Sequence, residues 1–245
     1  MSDPLEPEIR KQDGAGRLRR FLFVTTAARF VAAILGAFLL PVAAASGQVV
    51  ERRVLIVAPD DDDERVMLAR EAVAFWNRTL SDLDLDVRLR EPDLVIAAPN
   101  SRAMENFARQ VSQRGGRLPK GSAGPQPPSE LTNLQADVVL LLSRQPLMPF
   151  AWALPSQPNQ PSRSGSPEFF VAIRTREPER RSDDKVLRNV IAHELGHTLG
   201  LSHHRATATL MCGPCSSAAA VEAPQEWLPL TADDQSRLRE LHLAQ

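Results

Sequence analysis

The run His193-Glu194-Leu195-Gly196-His197-Thr198-Leu199-Gly200-Leu201-Ser202-His203-His204 contains four of the chain's five histidines. Three of them follow the spacing H-E-x-x-H-x-x-G-x-x-H. Residues i and i+4 of an α-helix lie about 40° apart around its axis, so His193 and His197 reach one metal ion from one face. Glu194 stands one residue round from His193, where a carboxylate reaches a water on that ion without ligating it. Gly200 permits the positive φ at which a helix ends and the chain turns back, bringing His203 in from outside the helix. Three protein ligands leave a fourth position open, the mark of a catalytic rather than a closed zinc site. The expectation is one catalytic zinc ion on His193, His197 and His203, with Glu194 as general base. A chance H-E-x-x-H on an amphipathic helix is the bland alternative, and the glycine and third histidine at fixed offsets argue against it.

The helix itself is legible. Leu187, Ile191, Leu195 and Leu199 recur every four residues and form a core-facing stripe. Ser182 is placed to cap its start, and Asp183 and Asp184 sit in the first turn, where the dipole favours negative charge.

Downstream, Thr209-Leu210-Met211 places a methionine eight residues after His203. With the extended histidine motif this resembles the metzincin metallopeptidases, and the interval resembles the matrixins, the group containing matrix metalloproteinase catalytic domains. Ala74-Phe75-Trp76 and Leu230-Thr231-Ala232-Asp233-Asp234 are similar to matrixin sequences at corresponding places. The resemblance implies an α+β fold of the zincin type: a twisted mixed sheet with an antiparallel edge strand, an active-site helix and a C-terminal helix. It also implies that Met211 lies in a turn beneath the zinc; without the histidine motif it would read as an ordinary core methionine.

The sequence departs from that pattern in places. His204 stands where matrixins commonly carry serine; a solvent-facing role is expected for it, with a hydrogen bond near the site as the alternative. No tyrosine occurs anywhere, which excludes tyrosine ligation of the astacin or serralysin kind. Neither a cysteine-switch propeptide nor the histidine and aspartate cluster of animal matrixins is found. Cys212-Gly213-Pro214-Cys215 matches thioredoxin-like redox sites in letters but lacks a strand leading into a helix N-terminus. A local Cys212–Cys215 disulfide that stiffens the turn is the favoured reading.

At the N-terminus, Arg17, Arg19 and Arg20 precede an apolar stretch divided by Arg29 and ended by Pro41, with Ala43-Ala44-Ala45 as a small-residue cleavage site. Residues 1–45 are expected to be a signal peptide or, alternatively, an N-terminal membrane anchor. The domain is then 46–245, exported as a secreted or periplasmic protein, or held outside the cytoplasm if the anchor is retained. Its 23 basic and 26 acidic residues give no reason to expect nucleic acid.

Between leader and metal motif the chain alternates. Strands are expected at 53–58, 83–89, 94–97, 136–142 and 169–173, and helices at 62–80 and 101–113. A Gly- and Pro-rich loop occupies 115–128, and a solvated arginine-rich loop carries Arg174, Arg176, Arg180 and Arg181. Residues 148–155 are bracketed by prolines, which sheets tolerate at their edges. The resemblance implies that this edge, Phe150-Ala151-Trp152-Ala153, binds an extended polypeptide substrate antiparallel above the zinc helix. An ordinary edge strand, with Trp152 packed against the following loop, is the alternative. Zinc-dependent hydrolysis of peptide bonds is the expected function, against an exported zinc-binding interaction domain without useful turnover. Intact Glu194 favours the former, since binding zinc does not require that carboxylate.

Overall fold

The computed structural model describes residues 49–96, 101–114, 124–155, 167–175, 184–213 and 225–243. Residues 1–45, where a signal peptide or anchor is expected, and Ser182, Asp183, Cys215, Arg176, Arg180 and Arg181 lie outside them. Among the described residues, no helix is long and apolar enough to cross a membrane.

The main sheet has five strands in the order β4-β2-β5-β7-β6. β2 (Val54–Ala58), β5 (Val138–Leu142) and β7 (Phe169–Ile173) form its centre and run parallel. Their near-continuous apolar runs are what a parallel sheet covered on both faces requires. β4 (Asp93–Ile96) adds a parallel edge beside β2, and β6 (Phe150–Ala153) adds an antiparallel edge beside β7. The prolines flanking β6 thus mark an edge, as expected.

Helices cover both faces. Alternate strand residues Val54, Ile56, Val138, Leu140, Val171 and Ile173 share one core with α1 (Arg65–Asp82) and α4 (Asp184–Thr198). Leu55, Val57, Val139, Leu141, Phe170 and Ala172 share the other with α2 (Ser101–Gln113), whose Met104, Phe107, Ala108 and Val111 face inward. The short α3 (Ser129–Thr132), a turn missed in the sequence, buries Leu131 in that second core. The C-terminal helix α5 (Ala232–His242) is opened by a capping box in which Thr231 and Asp234 satisfy each other's backbone N–H groups.

The expected strand at 83–89 is corrected. Only Val87–Leu89 is a strand, β3, and it pairs in parallel with a further short strand, β1 (Val50–Arg52), in a separate two-stranded sheet. Leu83 and Leu85 instead close the end of α1, donating to the carbonyls of Thr79 and Leu80, with Asp84 at φ 56° between them. All four apolar residues of the alternation are buried. The alternation reported burial rather than pairing.

The packing of α4 on α1 positions the histidine motif. The stripe Leu187, Ile191, Leu195 and Leu199 is buried, and Trp76 donates its indole N–H to the Ala192 carbonyl at 2.8 Å. Gly196 leaves room for that approach: a Cβ there would stand 2.9 Å from Trp76 Cζ2 and 2.7 Å from Met211 Sδ. The chain turns away after the helix at Gly200, which has φ +92°. The carbonyls at the helix end accept from Arg52 at Thr198 and from His242 at Leu199, cationic or polar groups suited to a helix C-terminus.

Candidate metal centre

The three motif histidines converge. Their Nε2 atoms stand 2.9, 3.0 and 3.2 Å apart. His193 Nδ1 lies 2.6 Å from the Leu210 carbonyl and His197 Nδ1 2.8 Å from that of Leu201. A carbonyl only accepts, so each Nδ1 carries the proton and each Nε2 presents a bare lone pair. Lone pairs aimed at one point repel unless a cation lies between them. Zinc–imidazole bonds of about 2.0–2.1 Å at tetrahedral angles set the nitrogens roughly 3.3 Å apart, within a few tenths of an ångström of this arrangement. The donor set therefore fits zinc.

Electrostatics agree. Burial holds the His193 imidazole down to about 4, against the opposing hydrogen bond to Leu210, and lowers His197 and His203 as well. The ligands are thus neutral, as metal binding needs. Glu194 is only 7% exposed. Burial pushes its carboxyl up to about 8, while a hydrogen bond from the backbone of Ala151 acts in the other direction.

That bond joins the metal helix to the edge strand. Leu154 donates its N–H to the Glu168 carbonyl. By the two-residue repeat of an antiparallel pair, Phe150 and Trp152 also turn their main-chain groups towards β7, and Ala151 and Ala153 turn theirs to the open edge. The side chains of Phe150 and Trp152 pack on the second core, away from α4. What β6 presents beside Glu194 is backbone.

Met211 is fully buried, with its side chain against Gly196 of the metal helix. The segment after it runs beside the His203-His204 segment: His204 N–H donates to the Met211 carbonyl and Gly213 N–H to the His204 carbonyl. Cys212 is buried and is not a free thiol; Cys215 lies outside the described residues. His204 corrects the expectation of a solvent-facing role. It is partly buried, with Nε2 3.0 Å from Asp234 Oδ2 on α5.

Two site residues escaped the sequence reading. Gly213 lies against the His203 ring, where a Cβ would stand 2.6 Å from Cγ. Asn189 is 3% exposed on α4 and holds the returning segment, accepting from Leu228 N–H and donating to the Glu226 carbonyl. A lone amide four residues before His193, on the same helix face, was the available signal.

A family model described as Matrixin matches residues 102–243, more than half of the chain. The chain belongs to the matrixin family. In general terms this matrixin is a zinc metallopeptidase, with His193, His197 and His203 as the residues able to hold the metal. Among solved structures it is similar to archaemetzincin from Methanopyrus kandleri, at 17% identity over 80% of this chain and 97% of that one, with a TM-score of 0.43. It is similar to metalloproteinase-II from Bacteroides fragilis at 16% identity, over 79% of this chain and 54% of that one, with a TM-score of 0.45. A zinc-dependent peptidase from Methanocorpusculum labreanum shares 16% identity over 76% of this chain and 99% of its own, with a TM-score of 0.35. No curated protein matches.

Proposed function

We propose that this matrixin is an endopeptidase that cleaves extended polypeptides, with Glu194 as its general base. The observation that carries the proposal is the buried Glu194 carboxyl, carried on the metal helix next to His193 and bonded to the main chain of β6. Zinc at such a site supplies Lewis acidity, activating water as a nucleophile and withdrawing charge from the carbonyl under attack. Glu194 accepts the proton of the attacking water and passes it to the nitrogen of the departing amine. The outward Ala151 carbonyl and the main-chain groups of Ala153 pair with a substrate strand, holding its scissile bond beside the carboxylate that the Ala151 N–H holds. Burial of Glu194 excludes competing solvent from the proton path.

Glu194→Gln is the direct test. Zinc content should match the parent, while chelator-sensitive cleavage of an unfolded protein falls by at least about 100-fold, the contribution of a positioned acid–base. Equal activity in the variant and the parent would sink the assignment. A parent chain that binds zinc and cleaves nothing would leave a zinc-binding interaction domain. The arginines and apolar run of residues 1–45 support export of the 46–245 domain, with the leader removed or kept as an anchor. N-terminal sequencing of protein from fractionated cells separates these, and an intact chain in the cytoplasm would refute both.

A further inference from the structure

His193 and His197 are oriented twice, by the helix that carries them and by the carbonyls that hold Nδ1. His203 has neither support. It lies beyond α4 and is exposed, and among the described residues no carbonyl takes its Nδ1. The residue that is fixed is the next one. His204 is bonded through both main-chain groups, to the Met211 carbonyl at 3.1 Å and from Gly213 N–H at 2.9 Å. Both ring nitrogens are also used. Nδ1 accepts from Ala206 N–H at 3.2 Å, so the proton sits on Nε2 and is donated to Asp234 Oδ2. That oxygen is itself held, accepting from Thr231 N–H at 2.9 Å and Thr231 Oγ1–H at 2.7 Å, in a side chain only 6% exposed.

We infer that His204 is a positioning residue for the ligand His203, tying the segment that bears it to the C-terminal helix through Asp234. The inference rests on His203 being a zinc ligand. The pinned peptide on its C-terminal side and the Gly213 backbone behind its ring leave His203 little beyond rotation about its own side-chain bonds. A charge-assisted imidazole–carboxylate bond to a buried acceptor resists displacement better than a bond to water at the surface. His204 thus acts from the neighbouring position, as the Leu210 and Leu201 carbonyls act directly on the other two rings. Outer partners of metal-bound histidines work by fixing ring orientation.

The test is a double-mutant cycle on zinc affinity, measured by chelator competition with the full chain. His204→Ala should weaken zinc about 10- to 100-fold, the usual effect of losing an outer partner. In a His203→Ala background the same substitution should change affinity less than about twofold, because the ligand it positions is gone. His204→Gln, whose amide still donates towards Asp234, should recover most of the loss. An equal loss in both backgrounds identifies a global structural effect and overturns the proposal, as does a loss below about threefold in the parent background, too small for an outer partner. If His204→Ala does not fold, His204→Asn, too short to reach Asp234, is read in the same two backgrounds by the same criteria. A parent chain that binds no zinc overturns the metal reading itself, and this proposal with it. Parent binding with no effect at His204 overturns this proposal alone.

Discussion

Replacing Gly213 by alanine separates ligand positioning from fold stability. A Cβ at this position would stand 2.6, 2.7 and 2.8 Å from Cγ, Cδ2 and Nδ1 of His203, where ordinary contact begins at 3.4 Å. The new methyl is fixed to a backbone whose N–H donates to the His204 carbonyl, so it cannot yield. The exposed His203 ring can, and must retreat by about 0.6 to 0.8 Å. Zinc–nitrogen distances tolerate departures of about 0.2 Å, so the third nitrogen leaves bonding range. Zinc affinity should fall about 10- to 100-fold, as it does when a ligand loses its orientation. Gly213 is not among the positive-φ glycines, so its backbone accepts alanine without strain. Metal-free stability should therefore change by less than about 1 kcal/mol, below the usual cost of overpacking a core. Chelator competition gives the first quantity, and urea unfolding in chelator gives the second. Zinc affinity within about twofold of the parent would refute the packing argument, since that argument requires a loss on the scale of an outer-partner mutation.

Gly200→Ala should destabilise the protein by at least about 1 kcal/mol, because φ +92° is strained for alanine and its Cβ would stand 2.5 Å from Leu241 Cδ1; unchanged urea unfolding would contradict this. The metal-free protein should be most stable near pH 6.5. Histidines held low, His193 to about 4 from 6.5, contribute stability that is complete above 6.5 and is lost as pH falls towards 4. Glu194, raised from 4.5 to about 8, opposes them and loses stability as pH rises to 8, by up to about 1.4 kcal/mol per pH unit above 6.5. Unfolding midpoints in chelator at pH 5, 6.5 and 8 check the sign, and a midpoint that keeps rising to pH 8 contradicts it. Glu194→Gln should remove the alkaline decline.

The convergence of His193, His197 and His203 was legible because its geometry is local. Four-residue spacing on one helix and a glycine at the turn place three nitrogens before any tertiary contact is known, and Gly200 has the positive φ its position demanded. Likewise, apolar runs of five residues at β2, β5 and β7 signalled strands covered on both faces. Leu83 and Leu85 show the limit: alternation reports which residues are buried, and a helix end hides them as well as a strand does. His204 shows another limit. Its partner Asp234 is 30 residues away, and a polar residue in a loop carries no mark of what it will meet. Gly213 was illegible for the same reason, since a missing Cβ acquires meaning only from the segment packed against it, while Asn189 offered only its place four residues before His193 and not the Leu228 N–H it meets.

The link between the candidate metal site and the β6 edge runs through one carboxyl. Glu194 is pushed towards its neutral form by burial, and the Ala151 backbone bond acts the other way because a carboxylate accepts more strongly than a carboxylic acid. A dication at the three nitrogens favours the charged form through the same electrostatics. Metal and backbone contact therefore reinforce each other at Glu194, and each is weaker alone. The consequence concerns β6, an edge strand bonded to the sheet on one side only. Converting Glu194 from acid to carboxylate strengthens its hold on Ala151, fixing the edge with which a substrate strand would pair. Loading zinc should accordingly slow amide hydrogen exchange at Ala151 in the parent, and much less in Glu194→Gln, whose side chain stays neutral in both states. Equal protection in the two proteins would show that the metal acts on the edge strand by some route other than the charge on Glu194.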